Sequence, residues 1–386
     1  MKRALPAFLL IAAACGSSGP NQSATAVQTL TIGNYSADMG PSPVGVIPTA
    51  TLHDAARNKD VEVSIEYPTR GGPFPVIIFS HGYGSSSHGY EPLISYWTSN
   101  GYVCIRPSHA DAGALRDTSR DTLGTTPPPA QNRRRGGQTQ ATITPIVPQV
   151  NRAEDIWERE REPQWRNRVA DIKLVIDSMG DLERQFPELL NKMDHGHIGV
   201  GGHGYGAFTA LLICGMNATY ADPRVKAVLA MSPPGPSTMR GLTAQSFATL
   251  KVPVMFLTGS LDRGASESED VNWRKQAFEN SPAGDKYLVV IDGARYTSFT
   301  GQVGFYEVAP MTPVPTSTNP YYGQQQVPQQ QRGAVVFGND RRIFAMVKIA
   351  SLAFWDAYLK NETSAKELLQ PQKFDASFTG AHLTTK

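Results

Sequence analysis

Charge, cysteine, long apolar runs and internal repetition are all scarce in this sequence of 386 residues, and each scarcity excludes something. Charged residues make up 18 % of the chain and nearly cancel, leaving a formal net charge of +2. That balance offers no electrostatic footprint for a nucleic acid. The one dense basic run, Arg133-Arg134-Arg135, falls in a Gly-, Pro- and Gln-rich stretch. It reads as a solvated loop rather than a phosphate or anionic-lipid site. There are three cysteines. Cys104 lies in an apolar strand pattern and Cys214 in an apolar helix pattern, so both read as buried thiols, and their spacing does not say whether they pair. The apolar stretch from Ala4 to Ala14 is too short to span a bilayer. No segment repeats.

What is present begins with MKRALPAFLLIAAACGSSG, which has the layout of an export signal. Lys2 and Arg3 give the positive start, and Ala12-Ala13-Ala14-Cys15 resembles the cleavage box of bacterial lipoproteins. A signal peptide over 1–14 and lipidation of Cys15 follow. A plain secretory signal cut near the same place is the alternative. Residues 15–45 then form a tether and extension; the polar part, 16–30, reaches on the order of 20 Å as a coil. The expected location is the bacterial cell envelope, with membrane contact through the N-terminal lipid alone.

Beyond the tether, strand and helix patterns alternate. Val61–Tyr67 alternates apolar and polar residues, while PVIIFS (75–80) is a continuous apolar run, the pattern of a strand covered on both faces. Glu91–Asn100 is helical in character, and Tyr102–Arg106 is the next strand. Trp165, Val169, Ile172, Val175, Ile176 and Met179 recur at helical spacing. Strand patterns return at 197–201, 225–231, 254–258 and 287–291, and an amphipathic helix covers 342–359. This rhythm predicts a mostly parallel central sheet with helices on both faces, within a domain spanning 46–365. Two polar, proline-rich insertions, 110–160 and 302–334, leave from strand ends that face the ligand crevice. They serve either as a lid or as passive excursions. Residues 366–386 read as a C-terminal tail.

Four short motifs sit at strand ends. Phe79-Ser80-His81-Gly82-Tyr83-Gly84 follows a buried strand. Gly202-His203-Gly204-Tyr205-Gly206 joins a strand to a helix. Leu257-Thr258-Gly259-Ser260-Leu261-Asp262 places an acid past a late strand. Gly293-Ala294-Arg295-Tyr296-Thr297-Ser298-Phe299 follows the last one. Together, over about residues 50–360, these resemble an α/β-hydrolase, closest to the dienelactone hydrolase and platelet-activating-factor acetylhydrolase-like esterases.

The resemblance implies roles. Tyr83 and Tyr205 would donate backbone N–H groups to an oxyanion hole, and Asp262 would be the triad acid. The nucleophile position holds Gly204, which has no atom to attack a carbonyl. The base position holds Tyr296, a phenol whose ordinary pKa near ~10 makes it a poor base at neutral pH. Removing the nucleophile or base of such a triad costs on the order of 10⁶ in rate. The sequence therefore predicts a hydrolase-fold lipoprotein of carboxylic-ester hydrolase descent that is inactive in serine hydrolysis and keeps a pocket for an ester or lipid acyl group. The alternative is an active esterase with a different nucleophile. Ser80, Ser85, Ser86 and Ser298 lie near the crevice, none with an evident histidine partner, and His109 is the best substitute base. His203 reads as packing. His195 and His197 form an H-x-H expected in the loop entering a strand, away from the crevice. Neither a cofactor nor a metal is implied.

Overall fold

A strand without polar residues forms only where helices cover both of its faces, and the longest such runs here do lie in mid-sheet. The computed structural model of the protein describes residues 29–112, 163–237, 241–264, 268–301 and 338–386. Its strands are β1 (Thr31–Ile32), β2 (Tyr35–Ser36), β3 (Val44–Asp54), β4 (Lys59–Pro68), β5 (Phe74–Ser80), β6 (Val103–Pro107), β7 (Met193–His203), β8 (Val225–Met231), β9 (Val254–Gly259), β10 (Lys286–Ile291) and β11 (Ala381–Thr385). The helices that matter most are α1 (Glu91–Ser99), α2 (Pro163–Asp177), α3 (Tyr205–Leu211), α4 (Val271–Glu279) and α5 (Gly338–Leu359).

Nine strands form one sheet in the order β11-β10-β9-β8-β7-β5-β6-β4-β3. The run from β10 to β6 is parallel, and the outer strands β4, β3 and β11 are antiparallel. Alternate residues of β5 feed two cores. Val76 and Ile78 join the α2 and α3 side, with Val169, Ile172 and Leu211. Ile77 and Phe79 join the α1 and α5 side, with Trp97, Val347 and Trp355.

This arrangement creates the crevice. The chain leaves β5 toward α1 on one face and leaves β7 toward α3 on the other, so the C-terminal ends of these neighbouring strands open between diverging connections. Among the described residues, no helix is long and apolar enough to cross a membrane.

Several boundaries differ from the sequence reading. Residues 366–386 are no tail: helices Thr363–Leu368 and Pro371–Ser377 lead into β11, which pairs antiparallel with β10. Five residues at a sheet edge, with only Ala381 and Leu383 buried, carry too little pattern to be read. The extension before residue 46 contains the β1–β2 pair, whose Ile32 and Tyr35 are buried on the α1 and α5 side. The strand read at 197–201 begins at Met193, so His195 and His197 lie within β7 rather than in a loop. Cys104 and Cys214 are both free and buried, in the cores on opposite faces of the sheet, and burial pushes each thiol up to about 12.

Candidate functional site

Gly204 is the joint between β7 and α3. Its φ of 54° and ψ of −110° lie where an L side chain is strained. The flanking glycines are there for close approach. A Cβ on Gly202 would stand 2.2 Å from the backbone of Gly206, and one on Gly206 would stand 1.9 Å from the carbonyl oxygen of Ser80. Strand and helix thus cross at backbone contact distance, beside the turn that follows β5.

The space beside Gly204 is filled by another chain segment. A Cβ built there would lie 1.9 Å from the Tyr296 hydroxyl oxygen, 2.8 Å from Cζ and 3.0 Å from Cε2. Tyr296 begins a short helical turn, Tyr296–Phe299, after β10. Its ring lies against His203 at 4.2 Å between centroids and against the Arg274 guanidinium at 5.5 Å. Glycine at 204 and tyrosine at 296 are sterically complementary: the phenol oxygen stands where the first carbon of any side chain at 204 would be.

Asp262 is buried in the turn after β9. Thr258 Oγ1 donates to its Oδ2 at 2.8 Å. No imidazole faces its other oxygen; Arg274 Nε stands 2.9 Å away, forming an ion pair without an aligned hydrogen bond. Burial raises this carboxyl above its ordinary value, with Arg274 opposing the shift. Arg274, from α4, also donates to the carbonyls of Ser232, Pro233 and Arg263. That residue was invisible to motif reasoning. Its only signal is a cation on the buried side of a helix.

His203 is 1 % exposed and shares a 2.8 Å hydrogen bond with the Tyr90 hydroxyl, which in turn accepts from Gly82 N at 3.2 Å. Burial, then the nearby Arg274 charge, holds the imidazole neutral and lowers its pKa to about 3. His203 therefore packs and braces the turn after β5.

One sequence expectation needs correction. Ser80 does have a histidine partner: its Oγ lies 2.9 Å from His109 Nε2, and His109 Nδ1 lies 2.9 Å from Asp171 Oδ2. His81 Nε2 accepts from the backbone N of His109 at 3.1 Å, and its Nδ1 bonds the Gly82 carbonyl at 2.7 Å. Arg168 donates twice to Asp111, at 3.0 and 2.6 Å, and once to the His81 carbonyl at 2.7 Å. Asp111 in turn accepts from Gly84 N at 3.1 Å.

The Ser80–His109–Asp171 chain has the connectivity of a nucleophile, base and orienter. Its surroundings suit it poorly for that work. Ser80 and Asp171 are 0 % exposed and His109 is 2 % exposed. Arg57, Lys59 and Arg168 already pair with Asp54, Asp111 and Asp171, so an imidazolium here would be a buried charge with no carboxylate left to match it. Burial, followed by Arg168, indeed lowers the His109 pKa. Burial works to raise Asp171, yet the His109 and Lys59 contacts hold it down to about 2. The relay thus fastens the turn after β5 to α2 and to the β3–β4 hairpin. Arg168 and Asp171 could have been noticed in the sequence, since they interrupt the apolar stripe of α2.

The remaining candidates fall as follows. Tyr83 is 7 % exposed in the turn after β5, and Tyr205 is the first residue of α3, with Arg168 4.2 Å over its ring. The Ser298 hydroxyl accepts from Arg295 N, and the Ser86 hydroxyl from His88 N. Ser85 lies half-buried in the loop before α1. His195 pairs with Glu183, and His197 with Asp194. Among the described residues, no group of three or more His, Cys, Asp and Glu side chains is arranged to hold a metal ion. Cys15, the 302–334 insertion and nearly all of the 110–160 insertion lie outside the described residues.

A mostly parallel sheet, helices on both faces and a glycine-flanked strand-to-helix joint at the switch point define an α/β-hydrolase fold. The family model for platelet-activating factor acetylhydrolase, isoform II, matches residues 49–302, and the chain belongs to that family of esterase-type hydrolases. No curated protein is matched to it.

Proposed function

We propose that this is an esterase-family protein whose strand-to-helix joint no longer carries out serine hydrolysis and whose crevice serves as a binding site for an ester or lipid acyl group. One observation carries the reading: the Tyr296 hydroxyl fills the place of a side chain at 204, with a would-be Cβ only 1.9 Å away. The Arg274–Asp262 ion pair supports it, because the acid that would orient a base is turned to a cation instead. The backbone N–H groups of Tyr83 and Tyr205 are assigned to the ligand's carbonyl oxygen, as in an oxyanion hole. The family's name points to a short acyl ester on a phospholipid, and the ligand is taken from that chemical class.

The test is a double reversion, Gly204→Ser with Tyr296→His, assayed on p-nitrophenyl acetate. A third change, Arg274→Leu, frees Asp262 to face the new imidazole. Sustained steady-state turnover in a revertant, well above that of the parent, is the expected result. Folded revertants that stay inert in both backgrounds would overturn the assignment of these positions.

A second reading, hydrolysis from Ser80, is favoured by the 2.9 Å bond to His109 and opposed by its complete burial. Peptide mapping after treatment with a fluorophosphonate decides it: an adduct on Ser80 establishes a working nucleophile there. The envelope location is part of the same proposal. Cys15→Ser should shift the protein from the membrane to the soluble fraction, and an unchanged distribution would refute the lipid anchor.

A further inference from the structure

We propose that Tyr296 is itself a nucleophile, an acyl acceptor for esters with good leaving groups. The inference rests on the reading of the crevice above and adds a chemistry to it.

The Tyr296 oxygen is 1.9 Å from the place of a Cβ on Gly204 and 3.5 Å from the place of one on Gly82. It therefore stands between the β7–α3 joint and the turn after β5, where an attacking oxygen in this fold is presented to a carbonyl. The residue arrives from the base's position in the chain, but its oxygen lies in the nucleophile's position in space. Access follows the same contrast: Tyr296 is half-buried, whereas Ser80 is 0 % exposed. The Arg274 guanidinium, 5.5 Å from the ring centroid, places positive charge beside the ring that shares the phenolate's negative charge.

The missing imidazolium sets the substrate class. In the step proposed, the Tyr296 oxygen bonds to the acyl carbon, the phenolic proton passes to solvent, and the bond from acyl carbon to leaving oxygen breaks. His203 lies against the Tyr296 ring, but it is buried, bonded through Nδ1 to Tyr90 and held neutral. No imidazolium therefore protonates a departing alkoxide, and only leaving groups that are stable as anions depart, those of aryl esters above all. The product is an acyl-tyrosine, an aryl ester in its turn. Its hydrolysis needs only water, which no base activates here, so the acyl group accumulates. The signature is one acyl group per chain and a burst of released phenol, followed by slow turnover.

The experiment uses the full chain treated with p-nitrophenyl acetate and, separately, with a fluorophosphonate, followed by peptide mass spectrometry. The expected result is acetylation and phosphonylation at Tyr296, faster than at the other tyrosines and slowed to their rate in urea-unfolded protein. Tyr296→Phe keeps the ring and its packing, and its burst should fall by at least about tenfold. An unlabelled Tyr296 in folded protein, or a full burst from Tyr296→Phe, would overturn the proposal. An adduct on a serine with Tyr296 unlabelled overturns it together with the reading of a protein inactive in serine hydrolysis. No adduct anywhere overturns the tyrosine chemistry alone. The wild-type peptide map is decisive even if Tyr296→Phe fails to fold.

Discussion

Adding a single carbon to Gly204 should destabilise the protein severely, and shortening Tyr296 should restore much of the loss. The new Cβ would meet the Tyr296 oxygen at 1.9 Å, Cζ at 2.8 Å and Cε2 at 3.0 Å, all well inside contact distance. The tyrosine cannot swing aside without leaving the ring of His203, 4.2 Å away, and the guanidinium of Arg274. Overpacking of this kind costs about 1–3 kcal/mol. A non-glycine residue at φ 54° adds about 1–3 kcal/mol of backbone strain. Gly204→Ala alone should therefore lose about 2–6 kcal/mol, a large part of the about 5–15 kcal/mol that holds a domain folded. In Gly204→Ala combined with Tyr296→Ala the strain remains and the clash is gone. A double-mutant cycle measured by chemical denaturation should give a coupling of about 1–3 kcal/mol, with the double variant more stable than the sum of the singles. Additivity within about 0.5 kcal/mol would refute the steric argument.

Other expectations are more local. Gly206→Ala would press a Cβ to 1.9 Å from the Ser80 carbonyl oxygen and 2.8 Å from that of His81, with backbone on each side, and should cost about 3 kcal/mol or more; a neutral effect on the unfolding midpoint would contradict the close crossing. Arg274→Met strands the buried Asp262 carboxyl and should cost about 3 kcal/mol at neutral pH, recovered in part by adding Asp262→Asn. Asp171 titrates near 2 in the fold against 3.8 ordinarily, so it contributes about 2 kcal/mol that is present above pH ~4 and lost as pH falls toward 2. Asp171→Asn should flatten the stability curve across that window. His203 titrates near 3 against 6.5, so the unfolded chain takes its proton first and stability falls between pH ~6.5 and ~3, by up to about 1.4 kcal/mol per unit. If denaturation of His203→Gln shows the same slope as the parent, the buried neutral imidazole is wrongly assigned.

The strands of the central sheet were legible because runs such as PVIIF and VMFL carry no side chain that needs water, their polar residues, Ser80 and Thr258, coming only at the C-terminal end. The joint at Gly204 was legible for a related reason, since only glycines allow the crossing that Gly202 and Gly206 make. Contacts between distant segments were not legible. Read singly, Gly204 and Tyr296 are two losses; in space they fit each other. The bond from Ser80 to His109 and the ion pair from Lys59 to Asp171 join residues 29 and 112 positions apart, beyond the reach of any periodicity. Arg274 was missed because a buried cation announces itself only through the carbonyls it meets.

The C-terminal strand has a practical consequence. β11 covers the outer edge of β10, and the side chain of Lys386 is moored on the carbonyls of Glu279 and Ser281. Trimming residues 381–386 would leave KYLVVI with a bare row of amides and carbonyls, an invitation to stick to the same strand of a neighbouring molecule. Affinity handles and reporter fusions for this protein therefore belong on a spacer beyond Lys386, never in place of its last turn-and-strand.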